Sequence, residues 1–162
     1  TGPGEEIFLP YLSGERTPHN NAGARGSFVG LSQSTDTAQM AQAVMEGVTL
    51  AMRDCQRVLA DAGTTINRLL AVGGGSKSAL WLKLLATNLD MEIALPEDGD
   101  FGGALGAARL GLCAAEGASP QTVMTMPPIK TTIAPDRSLS AAYADQYARY
   151  RALYPAIEET RK

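Results

Sequence analysis

Residues 71–85 read AVGGGSKSALWLKLL: an apolar, strand-like approach, three consecutive glycines, then a helical pattern. A strand that stops at a glycine turn and feeds directly into a helix is half of a β-α unit, and the turn then falls at the carboxyl edge of a sheet, where open α/β sheets bind ligands. Helix N-termini also offer unpaired N–H groups and positive partial charge, so this turn is a natural place for an anion or a nucleotide.

Several readings of the turn compete. A Walker A loop requires glycine directly before the Lys-Ser pair, but residue 76 is serine and the upstream glycine stands at the wrong distance from Lys77 and Ser78. A dinucleotide fingerprint G-x-G-x-x-G is met at two of three positions, Gly73 and Gly75 with Ser78 third, and Glu92 follows about 20 residues on, where a ribose-binding acid can sit. In the third reading the bare backbone of Gly73, Gly74 and Gly75 lies against the flat face of an adenine or ribose, because no Cβ keeps a ring away. Ser76 and Ser78 then cap the helix or reach a ribose hydroxyl. A ligand-free alternative is a tight turn with Ser76 as N-cap. The letters Asp100-Phe101-Gly102 spell the magnesium motif of protein kinases but lack its catalytic loop and lysine strand, and they read as coincidence.

The rest of the chain alternates in the same way. IFLPYL at 7–12 is apolar and extended, with Pro10 placing it at an edge, and a long Gly- and Asn-rich loop occupies 13–26. Ser34, Thr35 and Asp36 are candidate N-caps for a helix over 36–62, whose predicted core face is Met40, Val44, Val48, Met52, Cys55 and Leu59, closed by Gly63. A buried strand is predicted over 67–73, a helix over 77–88, a strand over 91–95, an acidic turn over 96–100 and a small-residue helix from 101 or 102 to Gly117. A strand at 129–133 and a helix over 137–159 complete the pattern, with Tyr143, Tyr147, Tyr150 and Tyr154 on one stripe as a packing seam or, alternatively, a partner surface. The predicted class is α/β with a mostly parallel sheet, too narrow by itself, so part of the domain is expected upstream of Thr1. The absence of an initiator Met fits that expectation.

With 44% hydrophobic and 19% charged residues, the chain has the makings of a folded core. Its net charge of −3 argues against a nucleic-acid surface, and the arginines at 53, 57, 149 and 151 read as solvated helix faces. No apolar run approaches the ~18 residues of a membrane span. Cys55 and Cys113 lack metal-site spacing and are expected as buried, reduced thiols of a cytoplasmic protein. A lone His19 cannot build a histidine metal site or triad, and it is expected as a surface loop residue.

Four ordered segments carry a resemblance. FLPYLSGERTPHNN at 8–21 and GSFVGLSQSTDTAQMAQAVMEGV at 26–48 match at Gly26, Phe28, Gly30, Leu31, Gln39, Met40, Ala43, Val44, Met45 and Glu46. VGGGSKSALWLKLLA follows at 72–86 and GDFGGALGAARLG at 99–111. Together they resemble the FGGY carbohydrate kinase family over roughly residues 7–115. The resemblance implies an actin-like, ribonuclease-H-like fold of two domains about a cleft, with this chain the later part of the C-terminal, nucleotide-binding domain over 1–162. It implies Gly73, Gly74 and Gly75 beside the adenosine of ATP, with Ser78 at a polar position that the family often fills with Asn. It implies Gly102, Gly103, Ala104 and Gly106 as a tightly packed helix start. It also implies no catalytic residue in this chain, since the general-base Asp belongs upstream, and no metal ligand, although Mg²⁺ accompanies ATP. The HNN after ERTP points to family members that phosphorylate D-xylulose at its 5-hydroxyl. Other sugars or polyols remain the alternative within the family, and a dinucleotide-binding module the alternative from another class. Expected partners are ATP and the sugar, with a homodimer as a further partner and neither nucleic acid nor membrane. Glu15 and Arg16 are read as a loop-anchoring ion pair or as charges acting on the cleft.

Overall fold

The computed structural model describes residues 2–97, 99 and 102–161. It contains two small sheets with helices packed on them. Strands β1 (Ile7–Leu9) and β2 (Ser27–Val29) form an antiparallel pair that places Phe8 opposite Phe28, with ring centroids 4.5 Å apart. Helix α1 (Thr37–Asp61) lies across β1. Its start is a capping box: the Asp36 carboxylate accepts from the Gln39 N–H at 2.8 Å, and the Gln39 side chain accepts from the Asp36 N–H at 2.8 Å. Its end is a Schellman turn, with the Gly63 N–H on the Ala60 carbonyl, the Thr64 N–H on the Leu59 carbonyl, and Gly63 at φ +85°.

The face of α1 that meets β1 is not the predicted one. Ala43, Glu46, Gly47, Thr49, Leu50 and Asp54 are buried, whereas Met40, Val44, Met52 and Leu59 are exposed. Two stripes of α1 share the helical period, and contact distance chooses between them. A Cβ at Gly47 would drive into the Phe8 carbonyl oxygen, so helix and strand touch backbone to backbone along the small-residue side. Polar Glu46 and Asp54 are tolerated there because Tyr143, Gln146 and Tyr147 supply hydrogen-bond partners.

The second sheet has the order β3-β4-β5, from β3 (Leu69–Leu70), β4 (Ile93–Pro96) and β5 (Ile129–Ile133). β3 and β4 run parallel, joined through helix α2 (Ala79–Leu89), while β4 and β5 run antiparallel. The α/β class holds, but the sheet is mixed and not mostly parallel. One helix between β3 and β4 fixes a parallel crossover. Two helices, α3 (Gly102–Glu116) and the unanticipated α4 (Pro120–Val123), separate β4 from β5, so that rule no longer sets direction. Leu82, Leu85 and Ala86 of α2 pack with Ile93 as a second core. The predicted strand over 67–73 shortens to two residues, and Leu70 and Val72 are exposed where burial was expected. Among the described residues only one edge of β3 is paired.

The C-terminal helix α5 (Ser140–Glu159) follows a 3-10 turn at Arg137–Leu139 and closes the first sheet. Its tyrosine stripe is the predicted seam: Tyr143 and Tyr150 are buried, and Tyr147 and Tyr154 pack beside the core of Ile7, Leu9, Tyr11 and Leu50. That packing removes the reading of the stripe as an exposed partner surface. The Tyr150 hydroxyl donates to the Tyr11 hydroxyl at 2.9 Å, and burial pushes both phenols well above their ordinary pKa. Asn21 donates to the Tyr154 hydroxyl at 2.9 Å and to the Glu158 carboxylate at 2.8 Å. His19 stacks on Tyr154 at 3.6 Å and lies 3.2 Å from the Tyr11 hydroxyl, so it is a half-buried structural residue and not a surface one. Cys55 and Cys113 are likewise only half-buried, and the Cys55 thiol donates to the Thr17 carbonyl at 3.3 Å.

Two outcomes follow. Gly47→Ala forces β1 and α1 apart and should cost ~3 kcal/mol, read as a lowered urea midpoint. Burial holds the His19 pKa below its ordinary value. The unfolded chain therefore binds this proton more readily, and stability should fall as pH drops through the region below 6.5. His19→Gln should flatten that slope.

Candidate functional site

Where β3 ends, the backbone turns at Gly73, whose φ of +81° is glycine territory and whose N–H bonds the Gly99 carbonyl at 2.9 Å. A short 3-10 turn, Gly74–Lys77, then leads into α2. The Ser76 hydroxyl donates back to the Gly73 carbonyl at 2.7 Å and so braces the turn. Ser76 is therefore not the N-cap. Ser78 is: its extended backbone precedes α2, and its hydroxyl accepts from the Trp81 N–H at 3.2 Å.

The glycines are bare for two different reasons. Gly73 is required by its φ. Gly74 has no such requirement, and a Cβ there would meet nothing within 4 Å. A Cβ at Gly75 would touch only the Trp81 ring, at 3.8 Å. The N–H groups of Gly74 and Gly75 have no partner among the described residues. The packing of this chain thus does not explain the missing side chain at Gly74, while the two open donors are those that the start of any helical turn leaves free.

The structure assembles the other sequence-flagged residues unevenly. Gly102 opens α3 beside the turn, where a Cβ would come within 3.1 Å of Val72. The tight packing expected of the whole helix start is limited to that residue, since Cβ atoms at Gly103 and Gly106 would meet nothing, and no residue of α3 is buried. Asp100 and Phe101 of the DFG letters lie outside the described residues. Glu92 is exposed and precedes β4, whereas the glycine turn leaves the far end of β3. Because β3 and β4 are parallel, with Leu69 opposite Ile93, Glu92 stands at the opposite edge of the sheet from the turn. A ribose-binding acid must sit at the same edge, so the dinucleotide reading loses its second element.

In the 13–26 loop the Glu15 carboxylate accepts from the Thr17 N–H at 2.7 Å, and the Glu15 and Asn21 backbones bond each other reciprocally. Glu15 therefore anchors its own loop and forms no ion pair with Arg16 among the described residues. Among the described residues no group of three or more His, Cys, Asp or Glu could hold a metal, and no helix is long and apolar enough to cross a membrane. Sequence reasoning anticipated open N–H groups at the turn but missed the Trp81 ring beside Gly75. The Ser-x-x-Trp spacing after the glycines was the available signal for the cap.

A mixed sheet flanked by helices, with a bare strand-to-helix turn at its edge, is part of the actin-like ATPase fold found in solved sugar kinases. Residues 1–115 match the C-terminal domain of the FGGY family of carbohydrate kinases, and the chain belongs to that family. It is 39% identical over 152 residues to the xylulose kinase of Escherichia coli strain K12, covering 93% of this chain and 31% of that protein. Its fold is similar to the crystal structure of a xyloylose kinase from Brucella ovis, with a TM-score of 0.88 and 56% identity over 99% of this chain and 34% of that one. The gluconokinase of Bacillus subtilis strain 168 is 35% identical over 121 residues, 69% of this chain and 22% of that protein. The chain thus spans about a third of the length of these two xylulose kinase relatives.

If Ser78 serves as the α2 cap, Ser78→Ala should lower stability by ~1 kcal/mol and Ser78→Gly by only a few tenths, measured by urea unfolding.

Proposed function

We propose that this chain is the adenosine-binding part of a kinase that transfers the γ-phosphoryl of ATP to D-xylulose, giving D-xylulose 5-phosphate. The observation that carries the reading is Gly74: a glycine that neither backbone angle nor internal packing requires, facing open space beside two unpartnered N–H groups. The main chain of Gly73, Gly74 and Gly75 receives the nucleoside. Ser78 holds the turn in shape through its bond to Trp81 and keeps a hydroxyl proton available to the ligand. Bound ATP supplies the phosphoryl group, with Mg²⁺ to offset its charge. The contribution of these residues is to fix the donor's position, which is the larger part of catalysis in phosphoryl transfer. The base that accepts the proton of the sugar hydroxyl is assigned to the remaining part of the full-length protein, and the setting to the cytoplasm.

The choice of D-xylulose is supported by relatives named xylulose kinase at 39% and 56% identity. The gluconokinase match keeps a different sugar as the competing outcome.

The test is a calorimetric titration of the full-length protein with ATP and with NADH. ATP should bind, NADH should not, and Gly74→Leu should weaken ATP by about tenfold or more by filling the open face. Preference for NADH, or indifference to Gly74→Leu, would contradict the assignment. In a coupled assay kcat/KM should be higher for D-xylulose than for gluconate or glycerol.

A further inference from the structure

A second cleft, of about 600 Å³, lies between the C-terminal half of α1 and α5 and shares no residue with the glycine turn. Arg53, Gln56 and Arg57 line it from α1, Thr64 and Thr65 from the loop beyond Gly63, and Tyr147 from α5. The arginines here were expected to be scattered on solvated faces, but the fold brings three of them around one phenol ring. The Arg53 guanidinium lies 4.5 Å from the Tyr147 centroid and that of Arg151 lies 5.9 Å from it. Beneath the ring, the buried Asp54 carboxylate accepts from the Tyr147 hydroxyl. Arg57 Nε and Arg151 Nε each stand 3.6 Å from the same carboxylate.

The charges do not cancel. Asp54 serves Arg57 and Arg151, and the exposed Asp61 takes Arg57 Nη1 at 2.9 Å. Arg53 has no carboxylate partner among the described residues, and its one hydrogen bond is a long 3.5 Å contact to the Tyr143 carbonyl. Arg57 Nε is buried and lacks a hydrogen-bond acceptor. Three arginines against Asp54 and Asp61 leave a net positive charge, in a chain whose overall charge is −3. The Arg53 guanidinium sits over the Tyr147 ring, a contact that restrains it before any ligand arrives.

We propose that this cleft binds a phosphate monoester, gripped by the Arg53 fork with Arg57 beside it and the Thr64 and Thr65 hydroxyls lining the wall. A planar guanidinium donates two parallel N–H bonds to phosphate oxygens, and the unpaired charge of Arg53 attracts an anion. An extended polyanion such as nucleic acid fits poorly, because the chain as a whole is acidic and the cleft is of small-molecule size. Free phosphate, a sugar phosphate and a nucleotide share the group that would be recognised.

The experiment uses the full-length protein carrying Gly74→Leu, so that the glycine turn does not contribute. Thermal unfolding is followed against inorganic phosphate and against a pentose 5-phosphate, with chloride at matched ionic strength. A saturable rise in melting temperature is expected with phosphate, and a larger one with the pentose 5-phosphate if the sugar is also held. Arg53→Gln should weaken the half-saturating concentration by about tenfold or more, and Arg53→Lys, which keeps the charge without the fork, should fall between. No saturable effect beyond chloride, or one untouched by both Arg53 variants, would overturn the site.

Discussion

The carboxylate of Glu46 is the junction on which the first half of the fold depends. It is fully buried, yet no ion pair reaches it among the described residues. Its oxygens accept from the Gly4 N–H at 3.1 and 3.2 Å, from Gln42 at 2.7 Å, from Gln146 at 2.6 Å and from the Tyr143 hydroxyl at 3.3 Å. Those donors come from the segment before β1, from α1 itself and from α5. A buried charge is expensive unless nearly every lone pair is used, and here the requirement forces three distant parts of the chain into one arrangement. Burial and this carboxylate together push the Tyr143 phenol up, so Tyr143 remains a hydrogen-bond donor throughout the physiological range. Gly47, the next residue, sets the contact of α1 with β1. Adjacent positions on one helix turn therefore fix both the spacing and the orientation of the elements around them.

The second half is organised differently. Its core is a small apolar cluster between α2 and the β3-β4-β5 sheet. At the open end of that cluster stands the glycine turn, which is braced by hydroxyls and not by packing: Ser76 on Gly73, Ser78 on Trp81. Those bonds brace the backbone while the outer surface of the turn stays bare, which suits the nucleoside site proposed there.

Much of this was legible in the residues. Asp36 and Gln39 announce the start of α1, Gly63 its end, and the bounds of β5 and α3 follow from glycine, proline and apolar spacing. The alternation that gives the α/β class comes from the same signals. Three things were not legible. The buried face of α1 was misread because Met40, Val44 and Met52 make the more hydrophobic stripe, while the close backbone contact at Gly47 selects the small and polar one. The β4-β5 direction depended on a four-residue helix too short to have a pattern. In the site, three glycines and a serine marked the place, but only coordinates separate Gly73, needed for its backbone angle, from Gly74, needed for nothing inside this chain. The convergence of Arg53, Arg57 and Arg151 joins residues nearly 100 positions apart, which local spacing cannot show.

The central claim is that the open main chain of the glycine turn is where the nucleoside lies. Hydrogen exchange of the full-length protein, with and without a non-hydrolysable ATP analogue, tests it at the atoms concerned. The amides of Gly74 and Gly75 should exchange rapidly without nucleotide, and slow when it binds. Protection elsewhere in the protein, with these two amides still exchanging freely, would contradict the account.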